Sequence, residues 1–267
     1  MRLRFRKPVR EKSAETRAPV NPERRSRLRE ILAWAVHFYT ATGLLCAAAM
    51  AVLIVRGGPE SFRLAFLLML LATIIDATDG TLARAIEVKR VLPGFDGRRL
   101  DDLVDFLNYS CLPLLLLWRA ELLPGLHALW LLAPLLASAY GFCQVEAKTA
   151  DGYFLGFPSY WNIVSFYLYV LPLPVGIIVL VLVAFALLTF VPSRYLYPTQ
   201  SGRFDRVTNG LGAVWTCLLA WIVWRLPTDE PPNADSIRLA VGSLFFPVYY
   251  LVLSWVVSVQ YWRIARK

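Results

Sequence analysis

Apolar runs of about twenty residues, the length needed to cross a hydrocarbon core, recur along the chain between short polar stretches. They predict eight spans, at 31–55, 62–84, 100–118, 125–143, 157–173, 174–192, 207–226 and 237–262. The fifth and sixth share one apolar run, interrupted only by Leu171, Pro172, Leu173 and Pro174. Two closely spaced prolines are expected to divide it, and a single span with a re-entrant segment is the alternative. Lipid offers no partner to an unpaired backbone group, so spanning segments are helices or closed barrels. The alternating ten-residue pattern of an outer-membrane barrel is absent. The expected fold is an all-α integral membrane protein, a bundle of about eight transmembrane helices.

Composition agrees. With 57% hydrophobic residues and a mean hydropathy of +0.52, the chain is too apolar for a soluble domain of 267 residues. Its formal charge of +9 is concentrated at the start, where residues 1–30 hold eleven Lys or Arg against four Glu. A basic stretch directly before a span holds a cytoplasmic end at an anionic membrane surface, so lipid, and no nucleic acid, is the expected partner of this arm. Pro8, Pro19 and Pro22 make the arm irregular, and the run from Ile31 to Val55 is long enough to span instead of being a cleaved signal. The expected division is a basic cytoplasmic arm at 1–30 and a transmembrane domain at 31–267. Connections on the arm's side carry Lys89, Arg90, Arg98, Arg99, Lys148, Arg194, Arg203 and Arg206, and the tail adds Arg263, Arg266 and Lys267. Opposite connections carry only Arg56, Arg119, Arg225 and Arg238, with Asp229, Glu230 and Asp235 beside the last. This asymmetry orients the bundle with its N-terminus in the cytoplasm. Cys46, Cys111, Cys143 and Cys217 lie in apolar segments without a C-x-x-C pair, as expected of free thiols.

Against this background four acids stand out. Asp76 and Asp79 end the second predicted span, and Asp101 and Asp105 begin the third, in the pattern D-x-x-D-G-x-x-A-R, twelve residues, G-x-x-x-D-x-x-x-D. An ionised Asp in a membrane segment costs about 2.5–3.5 kcal/mol on insertion scales, so four together call for cations. Helical spacing puts Asp76, Asp79 and Ala83 on one face, and Asp101 and Asp105 on one face of the next helix. Gly80 and Ala83 leave their face bare, so a neighbouring helix or a ligand phosphate can approach the backbone. Four carboxylates match two divalent cations, and oxygen-only donors select magnesium or manganese over zinc. Such a pair clamps a phosphoryl group for in-line displacement. Helix capping or pairing with Arg accounts for a single Asp, but not for four in register with Gly80, Ala83, Arg84 and Gly97.

The pattern resembles the signature of the CDP-alcohol phosphotransferase family, whose members join an alcohol to the phosphatidyl group of CDP-diacylglycerol or transfer a phosphobase. Most of the family has a shorter connection than the twelve residues between Arg84 and Gly97. The longer one is similar to that of the bacterial phosphatidylcholine synthases, as are AWAVHFYTATG at 33–43 and KTADGYFLGFPSYWNIVSFYLYVL at 148–171. The resemblance implies a homodimeric enzyme of the bacterial inner membrane that transfers the phosphatidyl group from CDP-diacylglycerol to choline and releases CMP. It further implies two divalent cations, Mn2+ or Mg2+, on Asp76, Asp79, Asp101 and Asp105, with Asp105 also acting as general base. Thr40, Asp76, Gly80, Ala83 and Arg84 would meet the nucleotide and its phosphates. The family's N-x-x-T pattern on the first span is met here by His37 and Thr40, so Thr40 carries over and His37 departs.

Choline carries a permanent charge and no donor on its ammonium, so aromatic faces are its usual partners. Trp34 and Phe38 near the start of the first span, Tyr109 one turn past Asp105, and Tyr160 with Trp161 at the start of the fifth are the candidates, with Glu146 or Glu87 as added charge. Lys148, Arg194, Arg203 and Arg206 suit lipid or nucleotide phosphates, or simply set topology. Serine, glycerol phosphate or inositol phosphate are alternative acceptors; an anionic one calls for a basic pocket beside the acids, which Lys89, Arg90, Arg98 and Arg99 keep open. From another class, a cation- or proton-coupled transporter could also use intramembrane acids. The absence of inverted repeats and the placement of all four acids at one boundary argue against it.

Overall fold

The computed structural model describes residues 27–145, 147, 149, 152–196 and 205–265. Most of the basic arm lies outside those residues, as do Glu146, Lys148, Arg203, Arg266, Lys267 and the side chain of Arg206.

The first two predicted spans are single long helices, α1 (Arg27–Arg56) and α2 (Pro59–Ile86). They form a tight antiparallel hairpin, because Gly57 and Gly58 adopt positive φ of 73° and 87° and Pro59 is pre-set for a first helical turn. α2 stops at Glu87, a non-glycine residue in the left-handed region whose N–H closes on Ala83 and Arg84. The connection that follows is structured. Its single turn α3 (Val88–Val91) buries Val88 and Val91 against Ala33 and Val36 of α1, so the connection packs onto the first helix.

The third span differs from a uniform helix. α4 (Gly97–Asp105) is capped by Asp96, whose side chain accepts from the Arg99 N–H at 3.3 Å. It then widens into a π-helical turn, Phe106–Cys111, before α5 (Leu112–Arg119). The cause lies in sequence: Pro113 supplies no N–H, and the N–H of Leu112 reaches back five residues to Leu107. Beyond a 3₁₀ segment at Gly125–Leu131 comes α6 (Leu132–Cys143), followed by α7 (Trp161–Val170) and α8 (Val175–Phe190). The two prolines do separate the fifth and sixth segments, Pro174 standing as the cap of α8. α9 (Asp205–Arg225), α10 (Ala234–Ser243) and α11 (Phe245–Ala265) complete the bundle. Five of the described helical stretches are long and apolar enough to cross a membrane. The interrupted third segment and the shorter α7 and α8 occupy the other predicted spans.

The sequence reading missed a short antiparallel ribbon. β1 (Tyr153–Leu155) pairs with β2 (Arg194–Leu196), Phe154 opposite Tyr195. Polar side chains of α11 satisfy its backbone: Ser258 accepts from the Arg194 N–H at 2.7 Å, and Tyr250 donates to the Leu196 carbonyl at 2.9 Å. Two apolar cores result. One, around Met50, Ile54, Ala65, Leu116 and Ile222, packs α1, α2, α5 and α9; the other, around Leu117, Trp161, Ile178, Leu182 and Tyr195, packs α5, α7 and α8 against the ribbon.

Candidate active site

Where α1, α2 and α4 cross, small residues let the backbones close. A Cβ on Gly43 would collide with Val104, so glycine sets this α1–α4 approach. The buried Asn108 fastens it, donating to the Gly43 carbonyl at 3.1 Å and to the Val104 carbonyl at 2.9 Å. At the resulting junction Asp76 from α2 and Asp101 and Asp105 from α4 each bring a carboxylate oxygen within 4.8 Å of the others. Ionised oxygens at that spacing repel by roughly 3 kcal/mol per pair at an effective dielectric near 20. A hard divalent cation reverses the sign, and an all-oxygen donor set suits one.

Asp79 lines the same cavity from one turn further along α2. It is buried, and its Oδ2 accepts from the Thr40 hydroxyl at 2.7 Å, which links α1 to α2. Tyr109 donates to Asp76 Oδ2 at 2.8 Å. Both hydroxyls hold acids in place, and the π turn carries Asn108 and Tyr109 onto the cavity wall together with Asp105.

The remaining predicted residues fall at different distances from this centre. Gly80 leaves room for Arg84, whose Nη1 would lie 3.3 Å from a Cβ there and whose Nη2 donates to Thr81 at 3.0 Å. Ala83 packs against the cluster of Val88 and Val91. Gly97 accommodates His37: a Cβ would collide with the imidazole, which stacks on Phe95 at 4.4 Å between ring centroids. The signature glycine thus leaves the space that the His37 ring fills. Trp34 is half exposed and leans on Phe95 at 5.3 Å, while Phe38 is exposed on the outer face of α1.

The fifth-span aromatics point elsewhere. Trp161 is fully buried in the second core, its indole N–H donating to Ser138 at 2.7 Å and its ring edge-on to Phe157. Tyr160 packs against Phe157 and Tyr250. Neither lines the acid cavity; an aromatic pair at the end of a span looks the same whether it faces a ligand or a core. Three basic residues at this end pair locally, Arg90 with Glu87 at 2.9 Å, Arg99 with Asp96 at 3.2 Å and Arg98 with Asp102 at 3.9 Å. Sequence reasoning passed over Gly43, Asn108 and Phe95. The first two had a usable signal, since Gly43 lies one turn past Thr40 and Asn108 one turn past Asp105.

Comparison with known proteins agrees with this geometry. The phosphatidylcholine synthase of Pseudomonas aeruginosa is 31% identical over 236 residues, covering 88% of this chain and 93% of its own length. That of Borreliella burgdorferi is 33% identical over 226 residues, covering 84% and 93%. The Legionella pneumophila phosphatidylcholine synthase reaches 40% over 180 residues, 66% of this chain and 68% of that one. The sequence profile of the CDP-alcohol phosphatidyltransferases spans residues 36–222, from the turn of α1 that carries Thr40 to the end of α9. With the acids of that signature gathered on adjacent helices, the chain belongs to the CDP-alcohol phosphatidyltransferase family.

Proposed function

We propose that the protein is a phosphatidylcholine synthase of the bacterial inner membrane, with its acid site and N-terminus on the cytoplasmic side. The observation that carries the reading is the convergence of Asp76, Asp101 and Asp105 within 4.8 Å, in a chain similar over most of its length to proteins with that activity.

Asp76, Asp79, Asp101 and Asp105 would hold two divalent cations, Mg2+ or Mn2+. Bound there, the ions supply charge stabilisation to the phosphates of CDP-diacylglycerol as the anhydride breaks. Asp105 takes the hydroxyl proton of choline, an alcohol too weakly acidic to attack unaided at neutral pH. The choline oxygen forms a bond to the phosphorus that bears diacylglycerol, the P–O bond to CMP breaks, and CMP leaves with the electron pair. Thr40 fixes Asp79. Gly80, Ala83 and Arg84 present a bare helix face and a guanidinium to the nucleotide phosphates. Trp34, half exposed beside Phe95, gives the trimethylammonium an aromatic face. The working unit is a homodimer.

The direct test is reconstitution in vesicles with CDP-diacylglycerol and labelled choline, serine or glycerol phosphate, with Mg2+ or Mn2+. Phosphatidylcholine should form, and Asp105→Asn should lower its rate by about 10²–10⁴-fold. Product from serine alone would move the enzyme to another acceptor, and undiminished output from the variant would remove Asp105 as the base.

A further inference from the structure

We propose that Asn108 is a further ligand of the cation site, a neutral oxygen donor beside the four carboxylates. The residue is 2% exposed. Its amide nitrogen donates to the carbonyls of Gly43 and Val104, at 3.1 and 2.9 Å. Both partners accept only, so chemistry dictates which end of the amide is nitrogen; the opposite orientation would set oxygen against oxygen. The amide oxygen is thereby committed to the other direction. It is buried and has no hydrogen-bond partner among the described residues, where buried carboxamide oxygens are normally satisfied.

What surrounds the oxygen decides what it can meet. Asn108 lines the cavity walled by Asp76, Asp79, Asp101 and Asp105, all acceptors when ionised. Two hydroxyls on that wall are directed at acids, Tyr109 at Asp76 and Thr40 at Asp79. An acceptor among acceptors needs an electrophile, and a side-chain amide oxygen is an ordinary ligand of hard divalent cations. A neutral donor also completes a coordination shell without a fifth negative charge in a membrane-boundary site. The π turn carries Asn108 to this place, where its nitrogen ties the turn to α1 and its side chain lines the acid cavity.

This inference rests on the proposed cation site and is independent of which alcohol is the acceptor, so its test uses no substrate. The full chain in lipid nanodiscs is titrated with Mg2+ and separately with Cd2+, reading the thermal unfolding midpoint, for the parent and for Asn108→Cys. A thiolate is a softer donor than an amide oxygen. The variant should need about tenfold more Mg2+ and about tenfold less Cd2+ than the parent for the same stabilisation. The parent carries the same four native cysteines, so their own Cd2+ binding cancels in the comparison. A purely structural Asn108 would lower the midpoint without ions and leave both ion dependences at parental values, which overturns the proposal. Should Asn108→Cys fail to fold, Asn108→Ser keeps a hydroxyl able to donate to the Val104 carbonyl and lacks the amide oxygen. A parental Mg2+ dependence in that variant overturns the proposal, and a tenfold weaker one supports it. A parent that no divalent ion stabilises removes the cation site itself, and Asn108's role with it.

Discussion

Tyr109 and Trp161 are both buried aromatics with a single polar hydrogen, and each donates it to one side chain. Tyr109 gives its hydrogen to Asp76, in a junction of three helices lined by carboxylates. Trp161 gives its hydrogen to Ser138 and is otherwise surrounded by rings and aliphatic chains, Phe157 and Phe185 among them. The same interaction thus serves two ends. In the aromatic core the hydrogen bond satisfies a donor that burial would otherwise orphan, so its loss affects the fold. In the acid junction the bond occupies one oxygen of a carboxylate and orients the other, so under the proposed mechanism its loss should be felt in the chemistry. The partner, not the ring, separates a structural aromatic from a functional one.

The largest effect expected from breaking this contrast is in the core. Trp161→Ala removes a fully buried indole and leaves Ser138 unpartnered, a change worth about 3–5 kcal/mol in well-packed interiors. Unfolding in detergent should show that loss, while turnover per folded molecule stays near the parent. A variant of parental stability with a raised choline KM would return Trp161 to the binding site.

Tyr109→Phe should act the other way round. The ring and its packing persist, and only the hydroxyl on Asp76 is lost. Partners of metal-binding carboxylates typically contribute about 10–100-fold, equivalent to about 1.4–2.7 kcal/mol. The expected signature is a fall in kcat and a rise in the divalent-ion concentration needed, with choline KM unchanged. A rise in choline KM alone would make Tyr109 a substrate contact.

The contrast also marks where reading from sequence stopped. The length of the apolar runs located the spans, because lipid imposes length and apolarity on each segment separately. The spacing of Asp76, Asp79, Asp101 and Asp105 placed them on two helical faces, and the structure brings those faces together. The π turn at Phe106–Cys111 escaped, since apolar composition is alike for a wide turn and a regular one, and Pro113 reveals its effect only through the donor it withholds. The connection between Arg84 and Gly97 read as a spacer; its Val88 and Val91 find their partners on α1, some fifty residues earlier in the chain. The place of Trp161 in the aromatic core was hidden for the same reason. Whether an aromatic residue meets a carboxylate or a serine is decided by tertiary neighbours that no local pattern contains.

Trp34 gives the smallest effect and the finest test of the contrast, because it combines features of both regions. Like Trp161 it packs on another ring, Phe95, and like Tyr109 it belongs to a segment that reaches the acids, α1 carrying Thr40 as well; unlike either, it is half exposed. A cation over an exposed indole gains about 0.5–1 kcal/mol, so Trp34→Ala should raise choline KM by only about two- to fivefold. The KM for CDP-diacylglycerol and the unfolding midpoint should hardly move, since the indole closes no core. Trp34→Phe keeps a weaker aromatic face and should fall between the parent and Trp34→Ala. Parental choline KM in both variants, with a lowered midpoint, would class Trp34 with Trp161 as packing; a graded KM at constant stability would class it with the groups that meet substrate.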